Sequence, residues 1–142
     1  MNKLPYPTQE GASLPNFSNQ LAAMMAMQKA FQCRVDPRCF SLDYKERAAF
    51  IRDHFTHCVQ ELGEMLQEVP FYKHWKDYSK LSDEDIDKAY NKAKEELIDA
   101  WHFFMNLAIG LGMDPDDFYA IYMGKHQENI RRQDEGYIQE GT

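Results

Sequence analysis

The chain reads as an all-α protein: a four-helix, bundle-like core behind an N-terminal arm, assembled as a homodimer or homotetramer. Three observations carry this reading. Apolar residues recur at helical spacing along four stretches, each bounded by cap residues, proline or glycine. No segment shows the alternation of a half-buried strand. Residues 97–111 are apolar nearly all round, and a 142-residue chain of four helices does not readily bury that much surface alone.

Taken in order, residues 1–15 hold Pro5, Pro7, Gly11 and Pro15 and read as an irregular arm. Residues 16–135 form the domain, and residues 136–142 a tail. The first helix is expected from Phe17 to Gln32, with Leu21, Met24, Met25, Gln28 and Phe31 at helical spacing and Pro37 beyond its end. The second runs from Asp43 to Glu68, ending before Pro70, with the apolar stripe Phe50, Phe55, Cys58, Val59, Leu62, Met65 and Leu66. A polar connection follows. The third helix runs from Asp83 to Leu111, with Ser82 as N-cap and Gly110 and Gly112 at its end. The fourth starts at Asp114-Pro115, a cap residue followed by proline at the first helical position, and reaches Gln133.

Composition narrows the function. A formal net charge of -7 argues against nucleic-acid binding by general electrostatics. No stretch approaches the roughly 20 apolar residues that span a bilayer, and the N-terminus lacks the apolar core of a secretion signal. Cys33, Cys39 and Cys58 are odd in number and read as reduced thiols, which places the expected location in the cytoplasm.

The chemistry-bearing feature is a set of four carboxylates. Glu61 and Glu64 lie three apart on the second helix, and Glu96 and Asp99 three apart on the third. Residues at that spacing share a helix face. A single such pair is common on a solvated surface. Here Glu61 and Glu64 border the stripe of Cys58, Leu62 and Met65, and Asp99 falls in the most apolar part of its helix, where a bare acid is costly. If the two helices pack there, the four charges repel unless a cation neutralises them. Hard divalent ions such as magnesium or manganese prefer such oxygen ligands. The expectation is a magnesium or manganese site of two or more ions, serving a phosphate-chain substrate. Glu68, one turn beyond Glu64, is a weaker candidate. His54 and His57 read as ordinary histidines of the second helix, and His102 as a lesser neighbour of Asp99.

The pattern Glu-x-x-Glu, a spacer, then Glu-x-x-Asp resembles the all-α nucleoside triphosphate pyrophosphohydrolases, the MazG-like enzymes and dimeric dUTPases. The similarity runs from Gln20 to Tyr137. The segment Glu64–Lys76 is similar to the dUTPase stretch after the first acidic pair, and Glu96–Phe104 to the second acidic helix. Residues Tyr122–Gln133 resemble the closing lysine, asparagine and arginine segment. The shortness of the chain resembles phage members.

The resemblance implies hydrolysis of a nucleoside triphosphate to the monophosphate and pyrophosphate, in control of a nucleotide pool. It implies catalytic and metal roles for Glu61, Glu64, Glu96 and Asp99. It also implies phosphate contacts from Lys73, Lys125, Asn129 and Arg132, and base contacts from Gln28 and Trp75. On this reading dUTP is the first substrate and dGTP a close second, with other deoxynucleotides open. Two other classes compete: a di-metal carboxylate bundle, which needs two Glu-x-x-His pairs where only Asp99–His102 approaches the form, and a non-catalytic helical interaction module.

Overall fold

A computed structural model describes residues 19–136; the expected arm, the start of the first helix at Phe17 and the tail beyond Gly136 lie outside them. Four α-helices and a short 3₁₀ turn make up the regular structure: α1 (Gln20–Val35), the 3₁₀ turn (Pro37–Phe40), α2 (Tyr44–Glu68), α3 (Asp83–Gly110) and α4 (Pro115–Glu135). No strand occurs among the described residues.

The helix boundaries follow local chemistry. Asn19 Oδ1 accepts from the backbone N–H of Leu21 and Ala22 at 2.9 and 3.2 Å, which opens α1. The helix runs three residues past the expected Gln32, because Asp36 serves both ends of a junction. Its N–H donates to Gln32 O, and its carboxylate caps the 3₁₀ turn that Pro37 begins. Sequence reading did not anticipate that turn, which is too short for a periodic signal. Asp43 caps α2, and Ser82 and Asp114 build reciprocal capping boxes with Asp85 and Asp117 at the starts of α3 and α4.

The α3 terminus explains its glycines. Gly112 adopts φ 76°, the left-handed conformation that lets Met113 N–H return to Ala108 O and Gly112 N–H to Ile109 O, each at 2.9 Å. Gly110 serves packing instead. A Cβ there would stand 2.8 Å from Ile51 Cγ1 and 3.1 Å from the Phe50 ring, so α2 and α3 close to this distance only because Gly110 has none. Arg47 adds a clasp, donating from Nη2 to Gly110 O at 2.7 Å.

The α2–α3 pair is the spine of the molecule. Phe50, fully buried, packs with Cys39 and Ile109, and Met25, Met105 and Ala108 form a second cluster under α1. α4 contributes no buried residue and meets the rest mainly through α1 and the edge of Phe118 against Trp101 and Phe104.

One chain leaves part of the apolar surface of α3 uncovered, as expected of a helix apolar nearly all round in so short a chain: Leu97, Ile98 and Phe104 are 47%, 53% and 41% exposed. The stripe of α2 is buried only at Phe50 and Cys58, while Phe55, Val59, Leu62 and Leu66 remain open. No described helix is long and apolar enough to cross a membrane.

Candidate active site

The α2–α3 packing brings three of the four carboxylates together. Glu61, Glu64 and Glu96 each offer an oxygen, and these oxygens lie within 4.8 Å of one another. Burial and the adjacent negative charge of Glu64, with Asp99 and Glu96 behind it, raise the pKa of Glu61 above its ordinary value. Glu95 points elsewhere and is exposed, as helical phase requires of the residue beside Glu96.

The ground for choosing Asp99 fails. It is an exposed residue, not a buried acid, because it sits with Ile98 on the open face of α3. It still raises the Glu61 pKa and lines the same cleft, so its charge reaches the cluster although its oxygens are not in the close group. Glu68 is engaged elsewhere, paired to Lys92 Nζ at 3.2 Å.

Beside the carboxylates opens a cleft of about 870 Å³ between α1, α2 and α3. Met24, Met27, Phe31, Ile98, Trp101 and Phe103 supply apolar walls. Glu61 and Asp99 stand at one side, and Gln28, His54 and Asn106 provide polar groups in the wall. Such a space, apolar with a few convergent polar atoms, suits a flat heterocycle.

Gln28, expected from the resemblance, is therefore in the cleft, 7% exposed, donating from Nε2 to Asn106 Oδ1 at 2.8 Å. Asn106 and His54 were not foreseen as site residues. The signal available was Asn106 itself, a lone amide inside the apolar run of α3. Its Nδ2 stands 3.1 Å from His54 Nδ1, and His54 Nε2 stands 3.3 Å from Asp36 Oδ2. The Arg38 guanidinium, donating to both oxygens of Asp36, holds that carboxyl down at about 2. Burial lowers the His54 pKa, with Asp36 partly opposing it, so the ring is neutral near pH 7. His57 stacks on Phe103 with ring centroids 5.2 Å apart, and His102 Nδ1 bonds Ile98 O of its own helix at 2.9 Å.

The remaining expected residues are not brought to the cleft. Trp75 is 68% exposed on the α2–α3 connection, edge-on to His74. Lys73 lines a separate hollow of about 190 Å³ with Glu68 and Tyr78. Lys125 and Asn129 are exposed on α4, and Arg132 there donates to Glu128, which also pairs with Arg131. The physical reason is common to these: the connection and α4 leave the three-helix face that forms the cleft, and among the described residues no lysine or arginine lines it.

Comparisons with known proteins identify the family. The family model described as dUTPase matches residues 20–114, which spans α1 to the end of α3 and all four carboxylates. A dCTP pyrophosphatase of Enterobacteria phage T4 is 31% identical over 140 residues, covering 82% of each chain. A dCTP pyrophosphatase of Enterobacteria phage LZ5 is 41% identical over 97 residues, covering 62% of this chain and 56% of its own length. A DNA replication protein of Enterobacteria phage T4 is 29% identical over 139 residues, covering 80% of this chain but 36% of its own. No solved structure matches. The chain belongs to the all-α dUTPase family and is a nucleoside triphosphate pyrophosphohydrolase.

Proposed function

We propose that this enzyme hydrolyses a pyrimidine deoxynucleoside triphosphate to the monophosphate and pyrophosphate, with dCTP preferred. The activity of the two phage pyrophosphatases moves dCTP ahead of the dUTP and dGTP expected from sequence. The observation that carries the reading is the adjacency of the Glu61, Glu64 and Glu96 cluster to an apolar cleft with a glutamine amide in its wall.

The donor set fits a hard divalent cation. Oxygens around magnesium at about 2.1 Å lie about 3 to 4.2 Å apart, so side chains now within 4.8 Å need only small rotations. Asp99, one turn from Glu96 and already at the cleft, joins them by a change of rotamer. Magnesium or manganese, when bound, supplies charge neutralisation at the phosphates and a more acidic water.

The protein's own residues do the rest. Glu61, which belongs to the carboxylate cluster and also lines the cleft, takes the proton of the attacking water. Trp101 and Phe103 offer apolar surface to the base, and Gln28 meets its edge. Lys73, Lys125 and Arg132, expected to hold the phosphates, do not line the cleft of one chain. We place them, with the open faces of α2, α3 and α4, in a homodimer or homotetramer in which a second copy completes the site. The exposed Phe55, Val59, Ile98, Tyr119 and Tyr122 support that assembly.

The test is product analysis with dCTP, dUTP, dGTP and the ribonucleotides, with magnesium, manganese or a chelator, beside a mass measurement by light scattering. Magnesium-dependent release of pyrophosphate from dCTP is expected, from an oligomer. Release that survives chelation, or a preference for a purine, refutes the reading; a monomer that is fully active refutes the assembly.

A further inference from the structure

Within the cleft wall runs a chain of hydrogen bonds to which the hydrolysis assigns no role. It passes from Asp36 at the end of α1, through His54 of α2 and Asn106 of α3, back to Gln28 of α1. It lies inside the protein: Asn106 and Gln28 are 3% and 7% exposed, and the His54 side chain 12%.

Its direction is dictated by donor and acceptor chemistry. Arg38 donates to Asp36 from Nε and Nη2 at 2.8 and 2.7 Å, and the carboxylate so held can only accept. His54 must therefore carry its proton on Nε2, which leaves Nδ1 a lone pair. Asn106 must turn its NH₂ to that lone pair and its Oδ1 to Gln28. Gln28 must then donate from Nε2. Among the described residues its Oε1 accepts no hydrogen bond, and none of their fully buried side-chain oxygens or nitrogens lacks a partner, so Oε1 is reached from the cleft that Gln28 lines.

We infer that Asp36, His54 and Asn106 form a positioning relay that fixes the Gln28 carboxamide with Oε1 toward the cleft, where it accepts an N–H from the edge of a nucleobase. A free carboxamide turns over at little cost, and its two orientations exchange an acceptor for a donor. Holding one orientation removes the encounters in which an N–H of the base meets an N–H of the protein. Asp36, His54 and Asn106 act on the base through Gln28, as positioning residues. The inference rests on the reading of the cleft as the base site.

Steady-state kinetics on the full chain with magnesium and dCTP, kcat and KM taken separately, test both layers. Gln28→Ala raises KM about tenfold or more if the cleft holds the base. His54→Phe keeps an aromatic ring between Phe50 and Phe103 but removes the lone pair, and raises KM about tenfold with kcat within about threefold. Asn106→Leu does the same, and Asn106→Asp, which offers Gln28 only acceptors, recovers most of the loss. A purely structural role gives the opposite order, because Asn106→Asp buries a carboxylate. The ring-nitrogen NMR spectrum of the parent protein needs no variant: it shows His54 as the neutral Nε2–H tautomer at pH 7.5. The Nδ1–H tautomer, an unchanged KM in a folded His54→Phe, or an Asn106→Asp worse than Asn106→Leu overturns the relay while leaving the base site standing. An unchanged KM in Gln28→Ala overturns the base site, and the relay with it.

Discussion

Replacing Glu61 by glutamine separates the cost of the carboxylate cluster from its use. In the metal-free protein Glu61 has Glu64 and Glu96 oxygens within 4.8 Å. At that distance two unit charges repel by about 0.9 kcal/mol in a water-like dielectric. The lower dielectric beside the half-buried Glu61 increases this, and the exposure of Glu64 limits the increase. Removing the Glu61 charge therefore relieves about 1–2 kcal/mol, which for a domain of this size raises Tm by about 3–8 °C. The sign with pH follows from the raised pKa of Glu61. The protonated form is favoured in the folded state, so the parent's deficit is absent below the ordinary value of 4.5 and develops as pH rises through the elevated one. Thermal unfolding with a chelator should show Glu61→Gln more stable than the parent at pH 7.5 and indistinguishable at pH 4. Added magnesium should reverse the order, stabilising the parent more, and pyrophosphate release should fall at least a hundredfold. A variant with no gain at pH 7.5, or one that magnesium stabilises as much as the parent, refutes the repulsive, cation-seeking cluster.

Further outcomes follow from the same geometry. Glu64→Gln and Glu96→Gln each abolish turnover with the fold retained, while Glu95→Gln, on the exposed side, leaves turnover within about threefold; circular dichroism beside the activity assay checks this. Asp99→Asn likewise lowers turnover by more than tenfold and weakens magnesium binding in a titration, and normal activity would place Asp99 outside the site. Gly110→Ala destabilises the protein by about 1–3 kcal/mol in urea unfolding, since the 2.8 Å approach to Ile51 outweighs the roughly 1 kcal/mol that alanine gains in a helix. Asp36→Ala costs stability at pH 7; because the carboxyl is held down at about 2, that cost persists at pH 4 and disappears only as pH falls toward 2.

What the sequence determined alone is local or periodic. Ser82 and Asp114, followed by acidic residues three positions on, mark the starts of α3 and α4 because the capping box needs only four consecutive residues. Spacing of three put Glu61 with Glu64, because a helix face repeats on that scale. Which carboxylates meet was a matter of how α2 rotates against α3, and that is decided by Phe50, Ile51 and the missing Cβ of Gly110. The same rotation turns Asp99 and Ile98 outward, so apolar neighbours in sequence did not make a buried acid. The polar wall of the cleft is more distant still. Gln28, His54, Asn106 and Asp36 come from three helices and a junction, with up to 78 residues between hydrogen-bonded partners, and no periodicity connects them. Hydrogen-bond complementarity at that range is a property of the packed structure, since each amide and imidazole finds its partner only after α1, α2 and α3 have closed around it.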